Sequence, residues 1–171
     1  MIPILSIVGK SDVGKTTLLE KIVRELRSRG YRVATVKHDA HSFDIDHEGK
    51  DSWRHKQAGA VLSVISSPSK LALVADMDHD LTLAEIRQEF IQGVDIIISE
   101  GYKREDHPKI EVHRSELRRD LLCVDDDNLI AIAGDPTDPP THVPLFDLDQ
   151  PGALCDFIEA RLLGKGHDPS S

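Results

Sequence analysis

The fold is decided by one stretch near the start of the chain, Ile4-Leu5-Ser6-Ile7-Val8-Gly9-Lys10-Ser11-Asp12-Val13-Gly14-Lys15-Thr16-Thr17. Its first part is an apolar run that predicts a buried strand, and its second part is a loop bounded by glycines. Residues 15–29 place apolar side chains on one helical face and charged side chains on the other, which predicts a helix. Gly30 stands where a left-handed C-cap would end that helix. Residues 31–36 predict a second strand, and such a strand–helix–strand crossover implies parallel pairing.

Strands and helices continue to alternate along the rest of the chain. Further strands are predicted over residues 61–65, 71–74, 94–98, 110–112 and 129–133, the first two as a hairpin. Three further helices are predicted. The first spans residues 50–58, the second begins at the capping-box spacing Thr82 to Glu85, and the third spans residues 151–163. We expect irregular segments at 38–50 and 134–151 and a disordered tail at 164–171. The pattern indicates one α/β domain over residues 1–163, with the three-layer fold of P-loop NTPases: a mostly parallel sheet with helices on both faces.

The composition argues against several classes of protein. Acidic residues number 30 and basic residues 21, so the formal net charge is −9, opposite to the sign that suits binding along nucleic acid. No apolar run approaches the roughly 20 residues of a membrane helix, and the N-terminus lacks the basic flank of a signal peptide. We therefore expect a cytoplasmic protein. Cys123 and Cys155 are interpreted as buried apolar residues rather than a redox pair.

Residues 9–16 match the pattern Gly-x-x-x-x-Gly-Lys-Ser/Thr, which is typical of loops that bind nucleotide phosphates. Gly9 and Gly14 allow backbone angles that a Cβ opposes, so successive N–H groups can turn toward an anion. The helix start adds unpaired N–H groups and the positive end of its dipole. Lys15 can reach the β- and γ-phosphates, and the Thr16 hydroxyl can ligate Mg²⁺. The alternative is a turn that only joins strand to helix, but such a turn needs neither Lys15 nor Thr16.

A magnesium-bound triphosphate also needs a carboxylate at the end of a neighbouring strand. Glu100 directly follows the apolar run 94–99 and is the best candidate. Sites of this kind often use Asp, and Glu offers the same oxygen ligands. Asp95, inside the same predicted strand, is the rival. The remaining interpretation is that Glu100 is a surface carboxylate at a strand end.

A polar segment over residues 38–51 is rich in aspartate and histidine and has no periodicity. It could be a switch or substrate loop that responds to the γ-phosphate. It could instead bind a transition metal through His38 and His41, although its spacing lacks a zinc signature, or be a solvated loop. The residues concerned are Asp39, Asp44, Asp46, Asp51, His38, His41, His47 and, just beyond, His55.

Several segments together resemble one family, the molybdopterin-guanine dinucleotide biosynthesis protein B (MobB) family. The resemblance covers most of residues 4–113. The segments that carry it are Val8 to Leu18, Val36-Lys37-His38 with His41, Gly49-Lys50-Asp51-Ser52 with Arg54, Ala58-Gly59-Ala60, Ser99-Glu100-Gly101-Tyr102-Lys103 and His107-Pro108-Lys109. The first segment is shared by many families, whereas the segments at 49–52 and 100–103 are more specific.

Membership would imply a dimeric GTP-binding protein with weak GTPase activity at most. Such a protein would be an adapter for the guanylyltransferase that attaches GMP to molybdopterin, so that enzyme and molybdopterin are the implied partners. By the resemblance, Thr16 and Glu100 would hold Mg²⁺, and Lys37, Asp51 and Lys103 would lie close to the nucleotide or to molybdopterin. The residues that would hold the phosphates of GTP are Gly9, Lys10, Ser11, Asp12, Val13, Gly14, Lys15, Thr16 and Thr17.

One departure from GTP-binding proteins concerns the guanine base. Their base-reading sequence Asn/Thr-Lys-x-Asp is missing, because residues 36–39 contain the Lys and the Asp but begin with Val and come too early. The expected preference for GTP over ATP therefore rests on the resemblance.

Two other functions compete with this hypothesis. A small-molecule kinase would need a lid with several arginines, and the one lid-like cluster, His113 with Arg114, Arg118 and Arg119, is explained more simply as a solvated charged turn. A metal-delivery GTPase would use the histidine-rich segment. No plain arginine finger or positioned Gln is visible, which favours weak hydrolysis and leaves catalytic residues unassigned.

Overall fold

The computed structural model describes residues 1–38 and 46–164, and these form two compact units. The larger unit contains residues 1–38 and 82–164, and the smaller unit contains residues 46–81. Asp39, His41 and Asp44 of the polar segment, and the tail beyond Gly164, lie outside the described residues. The single domain over residues 1–163 stays a prediction.

The larger unit is built on one six-stranded sheet in the order β2-β5-β1-β6-β7-β8, with every pairing parallel. In chain order the strands are β1 (Ile4–Val8), β2 (Val33–Lys37), β3 (Leu62–Ser66), β4 (Leu71–Ala75), β5 (Ile96–Glu100), β6 (Lys109–His113), β7 (Leu129–Gly134) and β8 (Leu145–Phe146). The helices are α1 (Lys15–Ser28), α2 (Asp51–Gln57), α3 (Leu83–Phe90) and α4 (Pro151–Ile158), which continues as a π-helical turn, Glu159–Leu163. The predicted α/β class and parallel sheet are confirmed.

Helices cover both faces of the sheet, so the larger unit has three layers. Leu5 of β1 shares a core cluster with Leu18 of α1 and Leu154 of α4. Ile4, the preceding residue in β1, packs on the opposite face with Leu83 of α3. Because successive side chains of a strand point to opposite faces, a strand buried on both faces is mostly apolar, as β1 is.

Helix α1 positions the loop that precedes it. Its buried side chains Leu18, Ile22 and Leu26 recur at the spacing of one helical face. The helix starts after Gly14, which has φ 96°, and the chain turns away at Gly30, which has φ 94°. No helix within the described residues is long and apolar enough to span a membrane.

Two differences from the predictions concern strands: one strand starts later than predicted, and one strand was not predicted. β5 begins at Ile96 rather than at residue 94, so Asp95 precedes the strand. β8 falls inside the segment 134–151 that was expected to be irregular, and it pairs with β7 at the edge of the sheet through Ile132 and Leu145. A strand of two residues is too short to show the alternation from which strands are predicted.

The smaller unit contains α2 and the predicted hairpin, which is confirmed. Strands β3 and β4 pair antiparallel from Leu62 with Ala75 to Ser66 with Leu71. Much of the hairpin surface is apolar and exposed, and its exposed side chains are Val61, Leu62, Val64, Ile65, Leu71 and Leu73. An exposed apolar surface of this kind is typical of an interaction site.

The two cysteines are free and buried in separate core clusters. Burial raises the pKa of the Cys123 thiol to about 11 and that of the Cys155 thiol to about 12. Both thiols are therefore protonated at neutral pH, and the interpretation as buried apolar residues is confirmed.

Candidate functional site

The loop Gly9–Thr17, which we call the glycine loop, lies at the carboxyl end of β1 in the middle of the sheet. Three of its residues have positive φ, namely Gly9 at 143°, Asp12 at 65° and Gly14 at 96°. A Cβ on Gly9 would lie 2.6 Å from the backbone oxygen of Val112 in β6. Glycine is therefore required at position 9 both by its φ and by the close approach of β6.

The start of α1 gives the glycine loop a positive character. The N–H groups of the first helical turn have no partner inside the helix, no side chain caps the helix at Gly14, and its first turn contains no acidic residue. The Lys15 Nζ donates to the backbone oxygen of Lys10 at 2.8 Å, so the ammonium group lies across the loop. Backbone amides and one lysine thus converge where an anion could bind.

Thr16 and Glu100 meet at the edge of the glycine loop that faces β5. The Thr16 hydroxyl donates to the Glu100 carboxylate, with Oγ1 lying 2.8 Å from Oε2 and 3.0 Å from Oε1. Both residues are accessible rather than buried. Two adjacent oxygen ligands suit Mg²⁺, which keeps several waters and takes its other ligands from phosphates. Thr16 and Glu100 therefore fit the predicted Mg²⁺, and their oxygens lie close enough together to bind one ion.

The rival carboxylate does not lie at the glycine loop. Asp95 precedes β5, whereas the loop adjoins the opposite, carboxyl end of that strand. The Asp95 Oδ2 accepts a hydrogen bond from the backbone N–H of Arg32 at 2.6 Å, which ties together the starts of two strands. The geometry therefore favours Glu100 over Asp95 as the metal ligand, because a metal bound at Asp95 would be a strand length away from the loop.

The three residues that the resemblance placed near a ligand have different surroundings. Lys37 ends β2 and pairs in register with Glu100, so it lies at the same edge of the sheet. Lys103 lines a pocket together with residues 9–11. Asp51 is the first residue of α2 in the smaller unit, where its Oδ1 lies 3.7 Å from Arg54 Nη1. Lys37 and Lys103 therefore share the larger unit with the glycine loop, whereas Asp51 belongs to the smaller unit.

The segment after β6 contacts the glycine loop from its other edge, which sequence reasoning missed. Arg114 Nε donates to the backbone oxygen of Val13 at 3.1 Å, and Arg119 Nη1 donates to that of Ser11 at 2.5 Å. For His113, Arg114 and Arg119 the interpretation as a solvated charged turn is wrong, because their side chains hold defined partners. Arg118, the fourth member of the predicted cluster, is exposed. The segment packs on the loop rather than standing free as a lid.

Buried polar side chains of β6 hold that segment in place. His113 is 8% exposed, and its Nε2 lies 2.7 Å from the backbone oxygen of Arg119. Since a carbonyl only accepts, Nε2 is the donor of this hydrogen bond. Glu111, 1% exposed, accepts hydrogen bonds from the backbone N–H groups of Leu122 at 2.6 Å and Cys123 at 2.9 Å. The strand thus fixes the backbone that carries Arg119.

The histidine-rich segment shows no metal centre in the part that can be described. His38 belongs to the larger unit and His47 and His55 to the smaller one, while His41 lies outside the described residues. Among residues 1–38 and 46–164, no three His, Cys, Asp or Glu side chains cluster as metal ligands would. His38 lies beside Tyr102, with the ring centroids 4.6 Å apart.

Comparison with known proteins decides the family. The family model for molybdopterin guanine dinucleotide synthesis protein B, MobB, matches residues 4–135. The chain belongs to the MobB family. The predicted resemblance is therefore confirmed, and the match extends beyond residue 113, where the recognisable segments end.

Curated relatives of MobB type match nearly the whole chain. A molybdopterin-guanine dinucleotide biosynthesis adapter protein of Haemophilus influenzae is 37% identical over 161 residues, covering 92% of this chain and 88% of the relative. The protein of the same name from Escherichia coli K12 is 35% identical over 164 residues, covering 92% of each chain. A solved structure of Bacillus subtilis MobB superposes with a TM-score of 0.76 at 29% identity, covering 96% of this chain and 100% of that one.

Proposed function

We propose that the chain binds GTP with Mg²⁺ on the glycine loop and serves as an adapter in molybdopterin-guanine dinucleotide biosynthesis, with weak GTP hydrolysis at most. Membership of the MobB family supports the biosynthetic adapter role. The observation that carries nucleotide binding is the Thr16–Glu100 contact of 2.8 Å beside the amides and lysine at the start of α1.

The arrangement suits a triphosphate better than a single small anion. The helix start and Lys15 supply positive partners for phosphate oxygens. Glu100 ends β5, and Thr16 follows the loop at the carboxyl end of the adjacent parallel strand β1. Ligands of open α/β sheets bind at these carboxyl ends. When bound, Mg²⁺ would neutralise charge on the β- and γ-phosphates. Protein groups then have to hold and orient the triphosphate, which the glycine loop does with its backbone.

Weak hydrolysis is consistent with the arginines around the loop. Arg114 and Arg119 donate to the backbone oxygens of Val13 and Ser11, so these two contacts support the loop itself. An arginine finger must instead place its guanidinium on the γ-phosphate to stabilise the transition state. Neither of these two contacts places an arginine on the γ-phosphate, so slow hydrolysis is expected.

A pocket at the carboxyl ends of β7 and β8 is suited to the guanine base. Its volume is about 460 Å³, and its lining includes Arg114 and Asp135. Asp135 accepts hydrogen bonds from the Ser115 hydroxyl at 2.7 Å and the Ser115 backbone N–H at 2.9 Å. These bonds hold the pKa of Asp135 below its usual range, so the carboxylate is ionised. An ionised carboxylate can accept from the N1–H and the exocyclic amine of guanine, a pair of donors that adenine does not present on one edge.

Asp135→Asn tests this assignment of the base pocket. We expect the preference for GTP over ATP to fall about tenfold, because a hydrogen bond to a charged group contributes roughly 1.5–3 kcal/mol. Competition calorimetry with GTP and ATP measures it, and Asp138→Asn, an exposed neighbour outside this pocket, is the control. An unchanged preference in Asp135→Asn would place the base elsewhere.

The exposed apolar hairpin supports the dimer that the family resemblance implies. Side chains such as Val64 and Leu71 are 50% and 69% exposed. Such a surface is stabilised when a second copy or another protein covers it. Light scattering of the intact chain measures the oligomeric state. A monomer at every concentration tested would contradict the dimer that the resemblance implies.

The proposed function as a whole has a direct test. GTP, ATP and GDP are titrated into the purified chain with and without Mg²⁺, and the chain is then mixed with the guanylyltransferase. We expect Mg²⁺-dependent GTP binding and a complex with the enzyme. Binding of neither GTP nor the enzyme would defeat the proposal.

A further inference from the structure

A basic pocket adjoins the first half of the glycine loop. Its volume is about 490 Å³, and its lining residues are Gly9, Lys10, Ser11, Lys103, Arg119 and Leu122. Lys15, Thr16 and Glu100 do not line it. The pocket is therefore distinct from the proposed metal-binding edge of the loop.

The cations of this pocket form no ion pair with a carboxylate of the residues that the structure describes. Lys10, Lys103 and Arg119 are three cations on one concave surface, and none forms an ion pair within the residues that the structure describes. The chain as a whole has a formal net charge of −9. Three cations that line one pocket of an acidic protein, without an ion-pair partner in the described part of the chain, indicate an anionic ligand.

One wall of the pocket is held by hydrogen bonds to the protein, so the charge of Arg119 is positioned before any ligand arrives. The Arg119 guanidinium is held by the Ser11 carbonyl, and its backbone oxygen is held by buried His113. The Leu122 backbone N–H is held by the buried carboxylate of Glu111. Arg119 retains further N–H donors beyond the single one that Ser11 uses. Because Arg119 is already held in place, less entropy is lost when it binds an anion.

We infer that this pocket binds the phosphomonoester group of a second substrate while a nucleotide occupies the glycine loop. The inference deepens the proposed function and rests on nucleotide binding at Lys15 and Thr16. A dianionic phosphate is opposite in charge to the three cations that line the pocket, and lysine and arginine are the side chains that hold phosphate. Because the pocket shares residues 9–11 with the loop, a phosphate bound there lies next to the nucleotide phosphates. The same chemistry could come from the terminal phosphate of the nucleotide, and the experiment separates the two sources.

The test uses inorganic phosphate as the probe and the intact chain preloaded with a non-hydrolysable GTP analogue and Mg²⁺. Calorimetry is expected to show one phosphate bound per chain. Phosphate that binds only when the analogue is absent would overturn the inference, because the pocket would then serve the nucleotide itself. Absence of saturable binding would overturn it as well. The titration of the analogue is a separate measurement, so failure of the nucleotide site and failure of this pocket are distinguishable.

A pair of variants assigns the bound phosphate to the pocket. Lys103→Gln is expected to weaken phosphate binding to the preloaded chain about tenfold, since a charge-assisted contact is lost. Lys103→Arg should restore most of that binding. Arg104→Gln removes the same charge from the next residue, which does not line the pocket, and should change phosphate affinity less than about twofold. Equal weakening in Lys103→Gln and Arg104→Gln would overturn the inference, because the effect would then come from overall charge.

Discussion

The two edges of the glycine loop differ in chemistry and in the way the fold supports them. The edge that faces β5 presents oxygen atoms, through the Thr16 hydroxyl and the Glu100 carboxylate. The edge that faces the segment after β6 presents guanidinium groups, through Arg114 and Arg119. The difference teaches that the proposed cation and the proposed additional anion would have separate places on one loop.

The support behind the two edges differs as well. On the β5 side, the buried polar side chains are the small hydroxyls of Ser6 and Ser99, which hydrogen-bond to each other at 2.9 Å. On the β6 side, Glu111 and His113 are larger buried polar side chains that hold the backbone around Arg119. Burying such groups is costly unless they are hydrogen-bonded, and Glu111 and His113 each form a hydrogen bond with this backbone.

Lys15→Ala tests whether the loop between the two edges binds the triphosphate at all. We expect GTP affinity to fall about a hundredfold or more, because Lys15 would make charge-assisted contacts to two phosphates. The fold should survive, since the Lys15 side chain contributes one hydrogen bond to Lys10 and no core packing. Calorimetry measures the affinity and circular dichroism the fold, and an unchanged GTP affinity would contradict the site assignment.

Gly9→Ala tests whether the loop depends on the close approach of β6. The new Cβ would meet the Val112 backbone oxygen at 2.6 Å, and the residue has φ 143°. We expect the free energy of unfolding to fall by roughly 1–3 kcal/mol, measured by urea denaturation.

The matched control for that variant is Gly49→Ala. Gly49 also has positive φ, at 84°, but a Cβ added there would meet no atom within 4 Å. Gly49→Ala introduces only the strain of an alanine at positive φ, without a steric contact. Its free energy of unfolding should therefore fall less than that of Gly9→Ala. Equal losses in the two variants would show that the contact with Val112 is unimportant.

Glu100→Gln sharpens the assignment of the β5 edge. Loss of the carboxylate charge should weaken Mg²⁺-dependent GTP binding about tenfold, since Mg²⁺ prefers charged oxygen ligands. Asp95→Asn should change it less than about twofold, because Asp95 lies at the opposite end of β5. Titration of GTP at several Mg²⁺ concentrations measures both variants, and the reverse order would move the metal ligand to Asp95.

Arg114→Gln tests the β6 edge and has the smallest expected effect. The guanidinium donates to the Val13 backbone oxygen at 3.1 Å and is partly exposed, so its loss should weaken GTP binding only about threefold. Arg104→Gln, with the same change of charge, is the control. If both variants weaken GTP binding equally, Arg114 supports the loop no more than any nearby cation does.

The sequence predicted the elements whose signals are local and repeated. The glycine loop has a fixed spacing, α1 has a helical apolar face, and Glu100 directly follows an apolar strand. The parallel sheet followed from the alternation of strands and helices. These features depend on neighbours in sequence, and a single chain contains enough information to predict them.

Other features depend on contacts between residues distant in sequence. Arg119 and Ser11 are 108 residues apart, so no spacing could pair them. The nearest signal in the sequence is the alternation of polar Lys109, Glu111 and His113, but the predicted strand covered only residues 110–112. The burial of all three side chains is visible only in the structure. Buried polar residues at every second position indicate that the strand holds something in place.

The central claim is that the glycine loop binds the triphosphate through its backbone amides. Amide NMR of the intact chain, titrated with a non-hydrolysable GTP analogue and Mg²⁺, tests it most directly. We predict that the largest chemical-shift changes occur at Gly14, Lys15, Thr16 and Thr17. Saturable binding of the analogue with those amides unmoved and the shifts confined to the hairpin of β3 and β4 would contradict it.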